Sequence, residues 1–163
     1  MKRWNARTWI VVLGLSLAVT MIVILTMAIP AIRRKRAAVF YLARAIEGEG
    51  AGLFENREQV GTWIAHTALN RVESSWWPNT VEAVVVAGFY GHVRVSSPAD
   101  WAMGLAREAL GREVDQAQGA IFMLSGDDLK TRGWSAEGAI RCFEQGEYAL
   151  CFFHEWPGEE QDD

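Results

Sequence analysis

Two glutamates at the end of a helical run are the first candidates for chemistry. Glu47 and Glu49 belong to the stretch Leu42 to Gly52, where apolar residues recur at helical spacing until three glycines interrupt the pattern. A carboxylate at a helix C-terminus faces the negative end of the helix dipole, and apolar neighbours remove it from water. Both effects raise the pKa, and a carboxyl group that keeps its proton near neutral pH can act as a general acid.

The two carboxylates cannot share one pocket while the helix continues, because residues two apart point about 200° apart around it. Glu49 lies directly above the buried stripe that contains Leu42, whereas Glu47 lies close enough to Arg44 to pair with it. The residues alone favour Glu49 by a small margin. Two solvated surface glutamates are the alternative.

A second helical run, from about Arg57 to Val72, carries polar and aromatic residues along one side. These residues are Gln59, Trp63, His66 and Asn70. Indole and amide groups suit a sugar-binding wall, because pyranose rings offer apolar faces for stacking and hydroxyl groups for hydrogen bonds. An ordinary solvent-facing surface is the alternative. His66 has no carboxylate or histidine partner at metal-binding spacing, so we predict no metal and no cofactor.

An uncharged apolar run, Thr8 to Ile32, precedes both helices. About 20 apolar residues suffice to cross a bilayer, and the apolar part of a signal peptide is shorter, about 7–15 residues. We therefore predict that residues 1–36 form a retained membrane anchor with basic flanks. Four basic residues follow the run and three precede it, and this count alone places the C-terminal domain in the cytoplasm.

The formal net charge is -4, and the part of the chain beyond the basic anchor is more acidic still. This charge argues against nucleic acid as a partner. Residues 37–157 are expected to form the folded domain, and residues 158–163 an acidic, disordered tail. Cys142 and Cys151 lie among apolar residues, so packing as small hydrophobic side chains is favoured over a disulfide.

The remaining pattern predicts an α+β fold that is mainly helical with a small antiparallel sheet. Asn79 and Pro98 each open a short helix, and Asp127 and Asp128 fall in a turn. The apolar runs 120–124 and 148–153 are predicted to be strands that pair, with a helical piece at 136–144 between them.

Several short motifs follow one another in a characteristic order. They are Leu42-Ala43-Arg44-Ala45-Ile46-Glu47-Gly48-Glu49, Gln59-Val60, Leu69-Asn70-Arg71-Val72, Pro78-Asn79-Thr80-Val81 with Val84-Val85, and Gly119-Ala120. In this order the chain resembles the catalytic domain of the spore cortex-lytic and cell-wall hydrolase (SleB-like) family, over most of Leu42 to Pro157. The resemblance implies a lysozyme-like domain that cleaves peptidoglycan between N-acetylmuramic acid and N-acetylglucosamine. It also implies one essential glutamate, which here is Glu49.

The chain departs from the family at two places. The family often has a second glutamate four residues after the first, where this chain has Leu53, and a histidine near its C-terminal strand, where this chain reads Glu147-Tyr148-Ala149-Leu150. Both departures bear on substrate specificity more than on the general chemistry.

A single carboxylate favours a lytic transglycosylase, because hydrolysing glycosidases generally use two. Gln59, Trp63, Asn70 and Arg71 are the expected glycan-binding residues, with a structural salt bridge as the alternative role for Arg71. We expect the catalytic domain to lie outside the cytoplasm, in the cell envelope, or in a virion membrane. The alternative function is that of a non-catalytic, membrane-anchored envelope or virion protein that keeps the fold for glycan binding or assembly.

Overall fold

The computed structural model describes residues 6–112 and 114–157, with side chains from Leu13 onward, so the tail at 158–163 lies outside the described residues. The chain divides into two compact units, Met1–Arg36 and Ala37–Asp163. The helices are α1 (Ala6–Gly48), α2 (Arg57–Glu73), α3 (Val81–Gly88), α4 (Asp100–Ala109) and α5 (Gly126–Arg132), and the strands are β1 (Phe122–Ser125), β2 (Arg141–Gln145) and β3 (Tyr148–Phe153). Two short 3-10 segments, Ala51–Leu53 and Tyr90–Arg94, follow α1 and α3.

The apolar N-terminal run is helical. It contains an 18-residue window with a mean hydropathy of 2.4, and none of that window is buried inside the protein. The helix is therefore long and apolar enough to cross a membrane, and a signal sequence would have the same properties.

The sheet of the second unit has three antiparallel strands in the order β1-β3-β2. The predicted pairing of the two apolar runs is confirmed, since Phe122 lies opposite Phe153 and Leu124 opposite Cys151. The helical piece predicted at 136–144 is wrong, because β2 occupies residues from Arg141 onward and pairs with β3 through a tight turn at Gly146. The ladder with β3 overrides a weak local helical preference. The α+β class with a small antiparallel sheet is thus confirmed.

The strand β2 brings the two cysteines together. Cys142 on β2 lies directly opposite Cys151 on β3, and the two form a disulfide. The prediction that both pack as free hydrophobic side chains is wrong, because without β2 nothing in the sequence brings them face to face.

The helices α1, α2 and α4 pack closely around Gly61. A Cβ atom at this position would lie 2.8 Å from Cδ1 of Leu105 and 2.9 Å from Cγ2 of Ile46, so the glycine allows the three helices to approach closely. The buried core that results includes Leu42, Ile46, Val60, Ile64, Val84, Val85, Phe89 and Phe152.

Three element starts differ from the predictions. Helix α3 begins at Val81 with Thr80 as its cap, and α4 begins at Asp100, two residues after Pro98. Asp127 and Asp128 belong to α5, where Ser125 and Asp128 form a capping box. For α3 and α5 the start is set by the side-chain hydrogen bond of the capping residue, whereas Ala99 before α4 makes no such bond.

Candidate active site

Glu49 lies at the very end of α1, as predicted. Its backbone N–H donates to the carbonyl of Ala45 at 2.9 Å, and Gly50 then turns the chain away with a φ of 84°. A left-handed residue at this position is a common way to end a helix, and glycine adopts it without strain. The side chain of Glu49 is half-buried.

The carboxylate of Glu49 accepts a hydrogen bond from a backbone N–H of the Tyr90–Arg94 segment. The N–H of Gly91 donates to Oε1 of Glu49 at 2.9 Å. Burial raises the pKa of Glu49 above its ordinary value; the Gly91 hydrogen bond and the charge of Arg71 oppose this shift, and the charge of Asp128 adds to it. The net effect favours the protonated acid, as the sequence predicted, but the main cause is removal from water.

The two side chains before Glu49 anchor the segment that supplies this donor. Arg44 donates to the carbonyls of His92 (2.8 Å) and Val95 (2.6 Å), and Oε2 of Glu47 accepts from the N–H of Ala99 at 2.7 Å. Arg44 and Glu47 therefore bind the segment after α3 instead of pairing with each other. Glu47 already satisfies a backbone donor at the start of α4, which leaves Glu49 as the better catalytic candidate.

The same segment approaches α1 unusually closely at a pair of glycines. A Cβ atom on Gly48 or on Gly91 would overlap the backbone of the other residue. His92 is buried beside this contact, and its Nδ1 lies within hydrogen-bonding distance of the carbonyl of Phe89. The position of the Gly91 donor thus depends on both residues being glycines, because a side chain on either would force the two backbones apart.

Arg71 is almost fully buried, and its charge acts on Glu49. Its Nε donates to the carbonyl of Ile121 at 2.6 Å and its guanidinium donates to the carbonyl of Gly88 at 2.9 Å. The guanidinium also lies 4.3 Å from the ring centre of Trp77 and 4.6 Å from that of Phe89. Burial lowers the pKa of Arg71 to about 10, so the side chain is still charged at neutral pH.

These contacts are structural, but they are hydrogen bonds to backbone carbonyls instead of the salt bridge considered for Arg71. The side chain ties α2 to α3 and to the start of the sheet, and its charge acts on Glu49 through space. Because it is buried, Arg71 is placed to position the site and not to bind a glycan directly.

Trp63, predicted to stack on sugar rings, lies in the core instead. It is 7 % exposed, and its ring makes edge contacts with Phe143 at 5.9 Å and Phe152 at 5.2 Å. The sheet covers this side of α2, so the indole has no free face for a sugar. A helical wheel cannot distinguish a face covered by a sheet from a face in water.

His66 and Asn70 share one partner, Asp115, in the turn before β1. Nδ1 of His66 lies 3.6 Å from Asp115, and the amide of Asn70 donates to Asp115 at 3.1 Å and to the carbonyl of Ala120 at 3.0 Å. Burial lowers the pKa of His66, which favours its neutral form. Both side chains therefore hold the turn that leads into the sheet. Gln59, by contrast, is exposed at the start of α2 and contacts Asn56.

The structure adds three groups that the sequence did not single out. They are the Gly91 N–H, His92 and Asp128, all of which act on Glu49. The glycine after two aromatic residues was a usable signal for a close backbone approach. The sequence signal for Asp128 was weaker and consisted of the capping pattern from Ser125 to Asp128. The Asp128 carboxylate accepts a hydrogen bond from Oγ of Ser125 at 2.6 Å.

No family model, curated protein or solved structure matches the chain. The SleB-like resemblance and the lysozyme-like fold therefore stay predictions. Within the part of the chain that the structure describes, no three His, Cys, Asp or Glu side chains are grouped closely enough to hold a metal ion. The chemistry open to the described site is proton transfer at Glu49, with backbone and guanidinium groups fixing the carboxyl.

Proposed function

We propose that the protein is a membrane-anchored peptidoglycan lytic transglycosylase in which Glu49 is the general acid and then the general base. The observation that carries the proposal is a half-buried carboxyl at a helix end, held by the Gly91 N–H, with a raised pKa. The SleB-like motifs and their order support the choice of substrate. In this role a glutamate must keep its proton near the working pH, which burial favours.

The reaction needs only one titrating group. Glu49 donates its proton to the oxygen of the bond between N-acetylmuramic acid and N-acetylglucosamine, and that bond breaks as the leaving hydroxyl forms. The 6-hydroxyl of the muramic acid bonds to the anomeric carbon, and its proton passes to the Glu49 carboxylate. The product carries a 1,6-anhydro ring, no water is consumed, and the glutamic acid is regenerated.

Asp128 is the candidate for a second carboxylate, because its charge acts on Glu49. Its hydrogen bonds argue against a nucleophilic role. It accepts hydrogen bonds from the backbone and the hydroxyl of Ser125 as part of the α5 cap. A carboxylate committed to a cap is a poor nucleophile, so cyclisation of the substrate is favoured over hydrolysis through two carboxylates.

The disulfide bears on where the domain lies. Disulfides persist in oxidising compartments and are rare in the cytoplasm. The Cys142–Cys151 bond therefore supports a domain on the outer side of the membrane or in a particle, against the count of basic residues around the apolar helix. An alkaline phosphatase fused to the C-terminus is expected to be active, and an inactive fusion would place the domain in the cytoplasm.

The central test uses the full chain in detergent with purified peptidoglycan. The parent protein should release anhydromuropeptides, and Glu49→Gln should lower the rate at least about 100-fold, the usual contribution of a general acid or base. Glu147→Gln is the matched control, because this glutamate is exposed in the turn between β2 and β3, and it should keep the parent rate. Equal rates for Glu49→Gln and the parent would overturn the assignment, and reducing-end products without the anhydro ring would indicate a muramidase.

Folding of the Glu49→Gln variant can be checked in the same preparation. A group whose pKa is raised on folding contributes stability that is present at low pH and lost as the pH rises through the folded pKa. Ionised Glu49 therefore opposes folding at neutral pH, and glutamine, which can still accept from Gly91, should leave the protein at least as stable. A lost activity without a lost fold then points to chemistry.

A second candidate is glycan binding without turnover, by an anchored envelope or virion protein. The absence of turnover is favoured because Trp63, Asn70 and Arg71 make internal contacts, so Glu49 lacks the glycan-binding wall that was predicted for catalysis. Sedimentation of the protein with peptidoglycan, with no soluble product, would support this candidate.

A further inference from the structure

A groove lined by aromatic and polar side chains lies apart from the residues that act on Glu49. Its first cavity, of about 490 Å³, is lined by residues from the loop after α2, from β1 and from the chain after β3. They include Ser74, Trp76, Phe122, His154, Glu155 and Trp156. This volume lies within the range of about 300–1,000 Å³ that is usual for small-molecule sites.

A second cavity, of about 320 Å³, has lining residues in common with the first. It shares the wall formed by residues 154–156 and adds Glu137, Gly138, Phe153 and Pro157 on its other side. Two adjoining depressions with a common wall form an elongated site, which suits a linear chain of rings better than a single compact ligand.

The aromatic residues of the groove are arranged for stacking. Trp76 is 78 % exposed, so its indole face is free in the absence of a ligand. Trp156 is fixed by edge contacts with Phe122 at 5.3 Å and Trp134 at 5.0 Å. A large exposed aromatic face beside a fixed one is a favourable surface for the apolar face of a pyranose ring, because little side-chain freedom is lost on binding.

The polar residues of the groove can hydrogen-bond to an uncharged polar ligand. The first cavity is lined by one hydroxyl (Ser74), one imidazole (His154) and one carboxylate (Glu155), and the guanidinium of Arg132 lies 6.0 Å from the ring centre of Trp156. The carboxylate accepts hydrogen bonds from sugar hydroxyls and amide N–H groups, and the hydroxyl both donates and accepts.

The groove is joined to the site around Glu49 through a single residue. Ile121 lines the first cavity, and its carbonyl accepts the hydrogen bond from Nε of Arg71 at 2.6 Å. The charge of Arg71 in turn acts on Glu49. Arg71 is therefore a contact that the groove and the site around Glu49 have in common.

We propose that this groove is a glycan subsite that binds neutral N-acetylhexosamine units by stacking on Trp76. The identity of the ligand rests on the proposed function, whereas the binding itself requires no turnover. The groove replaces the α2 stripe as the sugar-binding wall, because Trp76 is free and Trp63 is not.

The test measures binding to a defined sugar in the absence of cleavage. Full-length Glu49→Gln protein, in a detergent without a sugar headgroup, is titrated calorimetrically with the β-1,4-linked tetramer of N-acetylglucosamine. Adding Trp76→Ala should weaken binding about tenfold, as truncation of an aromatic anchor typically does. Trp76→Phe keeps an aromatic face and should restore part of the loss. Tyr148→Ala is the matched control, since this tyrosine is also exposed but lines neither cavity.

Each outcome decides the proposal. Selective weakening by Trp76→Ala, with no change for Tyr148→Ala, supports the subsite. No binding by the parent, or equal affinity of the Trp76→Ala variant, overturns it. Turnover is measured separately on the chain that retains Glu49, so a failure of the proposed catalysis leaves the binding result readable, and the reverse is also true.

Discussion

Glu49 differs from an ordinary surface glutamate in two ways that the structure makes concrete. It is withdrawn from water, which favours its acid form, and one of its oxygens is fixed by a backbone N–H, which favours its ionised form. The opposition of these effects is useful for a group that must give up a proton and then take one back. The nearby charges of Arg71 and Asp128 adjust the balance in opposite directions.

The pH dependence of activity should report this balance. In the proposed mechanism Glu49 is protonated at the start of the reaction, so the rate should fall as the pH rises through its raised pKa. Asp128→Asn removes a negative charge that raises this pKa, and the alkaline limb of the kcat/KM profile should therefore move to lower pH. Ser125→Ala is the control, because it disrupts the same α5 cap without removing a charge. If the alkaline limb moves equally in Asp128→Asn and Ser125→Ala, the shift comes from disruption of the α5 cap and not from loss of the Asp128 charge.

At the scale of elements, the end of α1 is bound to the Tyr90–Arg94 segment through hydrogen bonds and close backbone packing. Arg44, Glu47 and the glycine pair join them, so that the donor to Glu49 is supplied by a neighbouring segment and not by the helix itself. The site depends on how closely the two backbones approach.

Gly91→Ala should disturb this approach. Its Cβ would overlap the backbone of Gly48, and separation of the two segments should cost about 1–3 kcal/mol of unfolding free energy, as overpacking usually does. Activity should fall as well, because the N–H to Glu49 would move. Gly104→Ala on α4 is the control: nothing lies within 4 Å of its added Cβ, and the change should be neutral or slightly stabilising. Denaturant unfolding and peptidoglycan digestion measure the two effects, and equal stability of both variants would contradict the close approach.

At the scale of the whole molecule, the second unit joins a helical core to a three-stranded sheet, and the disulfide closes the outer hairpin of that sheet. The last strand carries residues of the core and leads into the wall of the groove. Loss of order in β2 and β3 should therefore affect glycan binding before it affects the end of α1.

Replacement of both Cys142 and Cys151 by alanine should lower the free energy of unfolding by about 2–3 kcal/mol. The bond closes a loop with a sequence separation of 9, and a loop of this size restricts the unfolded chain by about that amount. Guanidinium unfolding of the full chain with and without a reducing agent measures it. The reductant should destabilise the parent and have no effect on the double variant, and insensitivity of the parent would contradict the bond.

Much of the fold was readable in the sequence because it depends on local signals. The apolar run, the end of α1 at the glycines, the span of α2 and the apolar strand β3 all follow from periodicity and from residues that break a helix. Strand β2 was missed because its burial alternates weakly, and its conformation depends on pairing with β3. The disulfide was missed for the same reason.

The candidate site shows the same division. The sequence by itself determined that an acidic residue ends a helix among apolar neighbours, since chain-local spacing places Glu49 there. Only the tertiary structure decided which groups act on Glu49, namely the Gly91 donor and the buried guanidinium of Arg71. It also decided that Trp63 is buried and Trp76 exposed. Periodicity says which residues share a face of a helix, but what covers that face depends on contacts between residues far apart in the chain.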